Sequence, residues 1–416
     1  MDGRQAVRIV DSQAIREVPG LGTLERDTSR FPTLARRAAS LTAQWLLDQQ
    51  HADGFWIGEL EGDTILESEY ILLLAFLGRH DSSIAQKAAA YLLAKQLPTG
   101  GWSMYTGGKL EISGSVKAYF ALKLTGHDPS SEPMERARAA ILAHGGADAV
   151  NSFTRFYLAL LGQIPYSCCP AVPPELVYLP KWFPVNLYAM SSWSRTIVVP
   201  LSIMAAVQPV VEFEPRFGIR ELFLKDPEHW PALRGPGLRG GTGLFSWDRF
   251  FRTVNSTIKF CERRRLLPWR ANAIEAAKQW MFARFEGSDG LGAIFPPMIF
   301  SVIALRSLGY NDDSPELQYC YKQLEGLHIE EHDTLRLQPC LSPVWDTGIT
   351  VRALSDAGVS PSHPSIQRSI EWLLSKQIRC RGDWSHTVDA EPGGWCFEHA
   401  NDFYPDVDDT AMVIMS

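Results

Sequence analysis

The chain has 416 residues, 45% hydrophobic and 21% charged, which excludes a disordered protein and is long for one average core. Its formal net charge is −7 and its longest basic run is Arg263–Arg265, so nothing in it points to a nucleic-acid partner. Seven cysteines, an odd number with no C-x-x-C pair, argue against a disulfide framework or a zinc cage and suit a reducing compartment.

From the start of the chain, Met1-Asp2-Gly3-Arg4-Gln5 opens no apolar secretory segment. Leu34, Ala38, Leu41 and Trp45 then recur at three- and four-residue steps and predict a helix over 34–47. The same period predicts helices over 67–77, 84–93, 116–124, 134–143 and 153–161, and later over 274–285, 299–308 and 366–375. The most apolar stretch, Ile197–Val211, is interrupted by Pro200, Ser202, Gln208 and Pro209 and is short for a membrane span. Two Pro/Gly-rich segments, 165–184 and 225–243, read as irregular. The second leads into an aromatic cluster at Leu244–Phe251, which either packs inward or forms an exposed membrane-contact patch. Strand alternation is scarce, so the pattern predicts an all-α fold.

A repeat runs through the helices. Gln50 is followed six residues later by Trp56, Gln96 six later by Trp102, and Gln377 seven later by Trp384, each with glycine nearby. A decayed fourth copy places Phe285 and Leu291 in the Gln and Trp positions. The amide suits a helix end with unpaired backbone groups, the indole covers the turn, and glycine permits the sharp exit. Helix hairpins repeated in this way predict stacked pairs closing into a toroid or solenoid. Thirteen tryptophans also fit two readings, a Trp-rich repeat core or an apolar cavity walled with ring faces.

The most specific segment is Pro405-Asp406-Val407-Asp408-Asp409-Thr410-Ala411, three carboxylates just before an apolar run. Crowded Asp at that place has three explanations: a helix cap, a divalent-metal site, or an acid site in which one carboxyl keeps its proton. An EF-hand glycine and a second acidic cluster of similar quality are both missing from the sequence.

Upstream of the triad, Pro392-Gly393-Gly394-Trp395-Cys396-Phe397 and Asn401-Asp402-Phe403-Tyr404-Pro405 lead into it. Together with DGFW at 53–56, ESEY at 67–70, KAYFALK at 117–123, SSWSR at 191–195, FPPMIFSVIAL at 295–305 and SPVWDTG at 342–348, this closely resembles the squalene–hopene cyclases, from about residue 34 onward. The resemblance implies an α/α toroid: an N-terminal arm at 1–36, a first barrel at 37–340, and the beginning of a second barrel at 341–416. It implies that squalene is protonated by Asp408, tuned by Asp406 and Asp409, and cyclised to hopene or hopanol without a cofactor or metal. By motif match Trp193, Trp345 and Phe397 become cavity wall, Ile294 and Pro296 line the region where the cation ends, and Glu69 positions water. Two positions depart from the family: Phe295 stands where Gln is common, and Lys117 where the family has Glu. The resemblance also implies a monotopic enzyme on the cytoplasmic membrane face, allows a homodimer, and leads us to expect that these 416 residues alone are not a competent cyclase and leave Asp408 facing water.

Class II diterpene cyclases share D-x-D-D and the barrels, but the P-G-G-W and SPVWDTG contexts favour a triterpene substrate. A protein prenyltransferase subunit would need zinc ligands, and a non-catalytic toroid binding module would have no use for the three Asp.

Overall fold

The computed structural model describes residues 31–183, 185–231, 247–264 and 266–416. Its helices are α1 Phe31–Asp48, α2 Ile65–Phe76, α3 Ser83–Ala94, α4 Ile112–Leu124, α5 Glu132–Ala143, α6 Ser152–Leu160, α7 Ser192–Val207, α8 Trp247–Arg263, α9 Arg270–Phe282, α10 Phe295–Ser307, α11 Pro315–Glu325, α12 Pro343–Asp356, α13 Pro364–Ser375 and α14 Val407–Met415. One antiparallel hairpin, β1 His328–Glu331 with β2 Thr334–Leu337, interrupts them.

Two helix classes follow from residue pattern. Helices α2, α4 and α10 are buried on nearly every side, which their mostly apolar or small residues permit, with Glu67 and Glu69 on α2 and Lys117 and Lys123 on α4 buried among them. Helices α3, α5, α11 and α13 bury one stripe only, as Met134, Ala137, Ala140 and Ile141 do on α5. The first class forms an inner layer and the second an outer one. Helix α2 packs on α4, on α6 and on α10, so the inner layer closes on itself, the α/α toroid that the repeat predicts. Side chains of Ser82, Asn151 and Ser191 cap α3, α6 and α7.

Helix α7 continues unbroken past Pro200, which reads in sequence as an interruption. An interior proline costs a helix roughly 3 kcal/mol. Here Val199, Leu201, Ile203 and Met204 are all buried, and that apolar gain offsets the cost. The Leu244–Phe251 cluster lies partly outside the described residues; within α8, Phe250 and Phe251 are 51% and 46% exposed.

The clamps have a common geometry. Trp56 donates its indole N–H to the Leu46 carbonyl (2.7 Å) and Trp102 donates to Leu92 (2.8 Å), each acceptor lying four residues before the repeat's Gln. Gln50 donates to Gly54 and Ser365, and Gln96 to Gly100 and Pro133, so each amide ties its own turn to the next outer helix. A side chain at either glycine would collide with that helix: a Cβ at Gly54 would lie 2.6 Å from the Arg368 carbonyl oxygen, and one at Gly100 2.3 Å from that of Arg136.

In the third repeat the expected pairing of Gln377 with Trp384 is wrong. Gln377 donates to Gly393 (2.9 Å), and the indole on the Leu373 carbonyl is that of Trp395 (2.7 Å). The spacing from Gln to Trp is eighteen residues rather than six, an insertion of twelve. Trp384 lies on that insertion, and its indole nitrogen has no partner. In the decayed copy Phe285 stacks on Tyr319, whose hydroxyl donates to the Phe285 carbonyl (2.8 Å) and accepts from the Gly290 N–H (2.9 Å) in place of a Gln amide. Trp395→Ala should therefore cost about 3–5 kcal/mol of unfolding free energy, as for other large buried aromatics, and Trp384→Ala below about 2. Denaturant unfolding of both variants checks this, and equal losses would reinstate Trp384 as the clamp.

Candidate active site

The acid motif occupies a repeat position that the structure shows twice. The Glu111 N–H donates to the Trp102 carbonyl (2.8 Å), and the Trp102 N–H donates to Ser115 Oγ (2.9 Å). The Asp406 N–H donates to the Trp395 carbonyl (3.0 Å), and the Trp395 N–H donates to Thr410 Oγ1 (3.0 Å). Asp406 thus matches Glu111, and both cap their helices by side chain. One carboxylate suffices for that cap. Asp408 and Asp409 fall where the other copy has Ser113 and Gly114, so capping accounts for Asp406 alone.

Asp409 is 2% exposed, and its backbone N–H donates to Asp406 Oδ1 (2.8 Å) while its own Oδ1 has no partner. Burial, then the hydrogen bond and charge of Asp406, then the charges of Glu398 and Asp408 hold the Asp409 carboxyl well above the ordinary carboxylate range. The cluster therefore keeps a proton at neutral pH. Asp408, in the first turn of α14, is exposed.

Glu398, which sequence reasoning passed over, joins this group. It is 2% exposed, and burial reinforced by Asp289 and Asp406 pushes its carboxyl up to about 8. In the unfolded chain Glu398 loses its proton near 4.5, so between those values the folded state binds the extra proton. Stability then falls as pH rises through that window, and the penalty is complete above about 8. Glu398→Gln should stabilise the fold by about 1–3 kcal/mol near pH 9 and hardly at all near pH 5, at about 1.4 kcal/mol per unit. Urea unfolding at the two pH values reads this directly, and a gain of the same size at both would refute it.

The remaining predicted site residues fall into two sets. Around the acid, Trp193 in the first turn of α7 is 52% exposed, with its ring 6.4 Å from Tyr404. Trp345, in the first turn of α12, lies 6.5 Å from Phe397, and both are half-buried. Tyr404 is a further member that sequence reasoning left without a role; burial, with Asp406 and Glu398 nearby, raises its hydroxyl.

The second set lies at the inner helices of the first barrel. Glu69 on α2 accepts from the Lys117 ammonium on α4 and from the Tyr157 hydroxyl on α6 (3.1 Å). Lys117, which departs from the family's Glu, thus turns an acidic pair into a buried ion pair. Ile294 immediately precedes α10, Pro296 sits in its first turn, and both are half-buried. Phe295 between them is fully buried, its N–H donating to the Pro339 carbonyl (2.8 Å).

The acid-bearing loop is stitched to the first barrel. Asp289 N–H donates to the Ala400 carbonyl (2.9 Å), Ala400 N–H to Asp289 Oδ2 (2.9 Å), and Asp402 N–H to the Gly287 carbonyl (2.9 Å).

Comparison with known proteins gives the same family as the motif. Residues 39–333 match the squalene-hopene cyclase N-terminal domain, and residues 341–416 match the C-terminal domain. The chain belongs to the squalene-hopene cyclase family. It is 40% identical to the squalene–hopene cyclase of Zymomonas mobilis over 89% of this chain and 56% of that protein. It is 38% identical to that of Bradyrhizobium diazoefficiens over 94% and 59%, and 35% identical to that of Alicyclobacillus acidocaldarius over 91% and 59%. The chain thus spans somewhat over half the length of these family members.

Proposed function

We propose that this chain supplies the first barrel and the acid-bearing segment of a cyclase that protonates a terminal double bond of squalene and closes it to pentacyclic hopene or hopanol. The observation that carries the reading is the surplus pair Asp408 and Asp409 beyond the Asp406 cap, one of them buried and held well above the ordinary carboxylate range. An alkene is a very weak base, so its protonation calls for an acid that stays protonated at neutral pH in a site poor in water. Asp408 is the donor in this reading because it matches the donor position of the family's acid motif, and its carboxyl lies at the surface that a substrate would reach. Asp409 holds a proton beside it, and Asp406 orders both. Trp193, Tyr404, Trp345 and Phe397 stabilise the migrating cation through their ring faces, at roughly 2 kcal/mol per desolvated contact, without attacking it.

Phe295 bears on the product. A buried ring offers no hydrogen bond to a water at the position where Gln is common in the family, which supports proton loss over water capture and hence hopene over hopanol. Family membership leaves room for other products: a dammaradiene synthase of Dryopteris crassirhizoma is 34% identical over 94% of this chain.

Squalene resides in bilayers, so the enzyme would work attached to one membrane face. Phe250, Phe251 and Phe260 are exposed on α8, and among the described residues no helix is long and apolar enough to cross a membrane. The deciding experiment incubates squalene with these residues in a chain extended to the relatives' length, followed by chromatography of the products. Pentacyclic triterpene is the expected result, and unreacted squalene from a folded, vesicle-bound protein would sink the reading. Flotation with anionic liposomes should carry the protein upward without detergent.

A further inference from the structure

We propose that Asp383, carried on the twelve-residue insertion of the third repeat, is a positioning residue that locks the acid-bearing loop to the Trp193–Tyr404 side of the site. The first two repeats pass from Gln to Gly in four residues and still close their clamps, so the insertion serves no purpose in the clamp itself. What it delivers is a carboxylate. Asp383 is 4% exposed and meets two arginines of the first barrel. Arg284, just past α9, donates from Nε to Asp383 Oδ2 (3.0 Å) and from Nη2 to Oδ1. Arg195, in the first turn of α7, lies with Nη1 3.6 Å from Oδ2.

Both arginines are themselves over nine-tenths buried, and each leads to a part of the site. Arg195 follows Trp193 by two residues and stands 5.5 Å over the Tyr188 ring. Arg284 stands 3.6 Å over Trp280 and 5.5 Å from Phe403, the neighbour of Tyr404. It also begins the segment whose Gly287 and Asp289 stitch down Ala400 and Asp402. One carboxylate therefore joins three pieces of chain: the α7 start with its cavity-wall Trp, the stitching segment, and the insertion that leads into the acid loop. Without Asp383 two guanidiniums would face each other in a place of low dielectric and drive apart the elements that carry them.

The test uses Asp383→Asn, which keeps the shape and loses the charge. In the 416-residue chain, amide hydrogen exchange over 396–406 should quicken by about tenfold or more while α2, α4 and α10 stay protected, a local rather than a global loss. This readout needs no activity, so it separates failure of the lock from failure of the cyclase reading. In the extended enzyme the same variant should raise the share of incompletely cyclised products several-fold and leave the pH profile of squalene consumption in place. If Asp383→Asn does not fold, Arg284→Lys, which keeps the charge but loses the two-pronged bond to Asp383, carries the same expectations. Unchanged exchange over 396–406, or a uniform loss of rate with the wild-type product pattern, would overturn the proposal.

Discussion

Replacing Asp408 by asparagine is expected to abolish cyclisation in the extended enzyme and to leave the fold in place. The amide keeps the shape of the carboxyl and cannot deliver a proton to an alkene. General-acid steps contribute about 10²–10⁴ in rate, and here no water can substitute, so the upper end applies. The fold should hold because Asp408 is exposed and the helix start depends on Asp406, whose Oδ1 accepts from Asp409 N–H at 2.8 Å. Asp409→Asn tests the division of roles. Its carboxyl is buried among Asp406, Glu398 and Asp408, so the amide removes a proton store, and activity should fall severely without vanishing. Product yield from squalene, with circular dichroism as the control for folding, measures both. An Asp408→Asn enzyme that retains more than a small fraction of turnover would move the donor to Asp409.

Lys117→Met is expected to destabilise the first barrel by about 3–5 kcal/mol. Lys117 is 2% exposed and Glu69 6%, and their ion pair lies between two inner helices, 48 residues apart in the chain. Removing the ammonium leaves Glu69 with the Tyr157 hydroxyl, one neutral donor for a buried charge. The double variant Glu69→Gln/Lys117→Met should recover most of the loss, because a neutral pair of similar volume avoids the desolvation of both ions. Denaturant unfolding of the two singles and the double closes the cycle. Additive losses would show that Lys117 and Glu69 are not coupled.

The helices were legible in the sequence because their signals are local. Apolar residues at three- and four-residue steps predicted α3, α5 and α13, and the Gln and Trp positions of the first two clamps lie within one turn of chain. The acid triad was legible as three carboxylates at a helix start, and the family's motif assigned the donor. Spacing alone could not find the third clamp, because the insertion of twelve residues put Trp384 nearer the expected distance than Trp395, and only the bond to Leu373 tells them apart. Nor could local pattern say which carboxyl keeps a proton. Three Asp within four positions look equivalent until the fold buries Asp409 and exposes Asp408. Lys117 read as a lost acid until α4 packed beside α2 and supplied Glu69. Asp383 gave no sequence signal at all, because Arg284 lies 99 residues away and Arg195 farther still. Helix formation and capping are decided by neighbours in the chain. Burial and the pairing of charges depend on which surfaces meet, and only the closed barrel and the loop docked on it fix those.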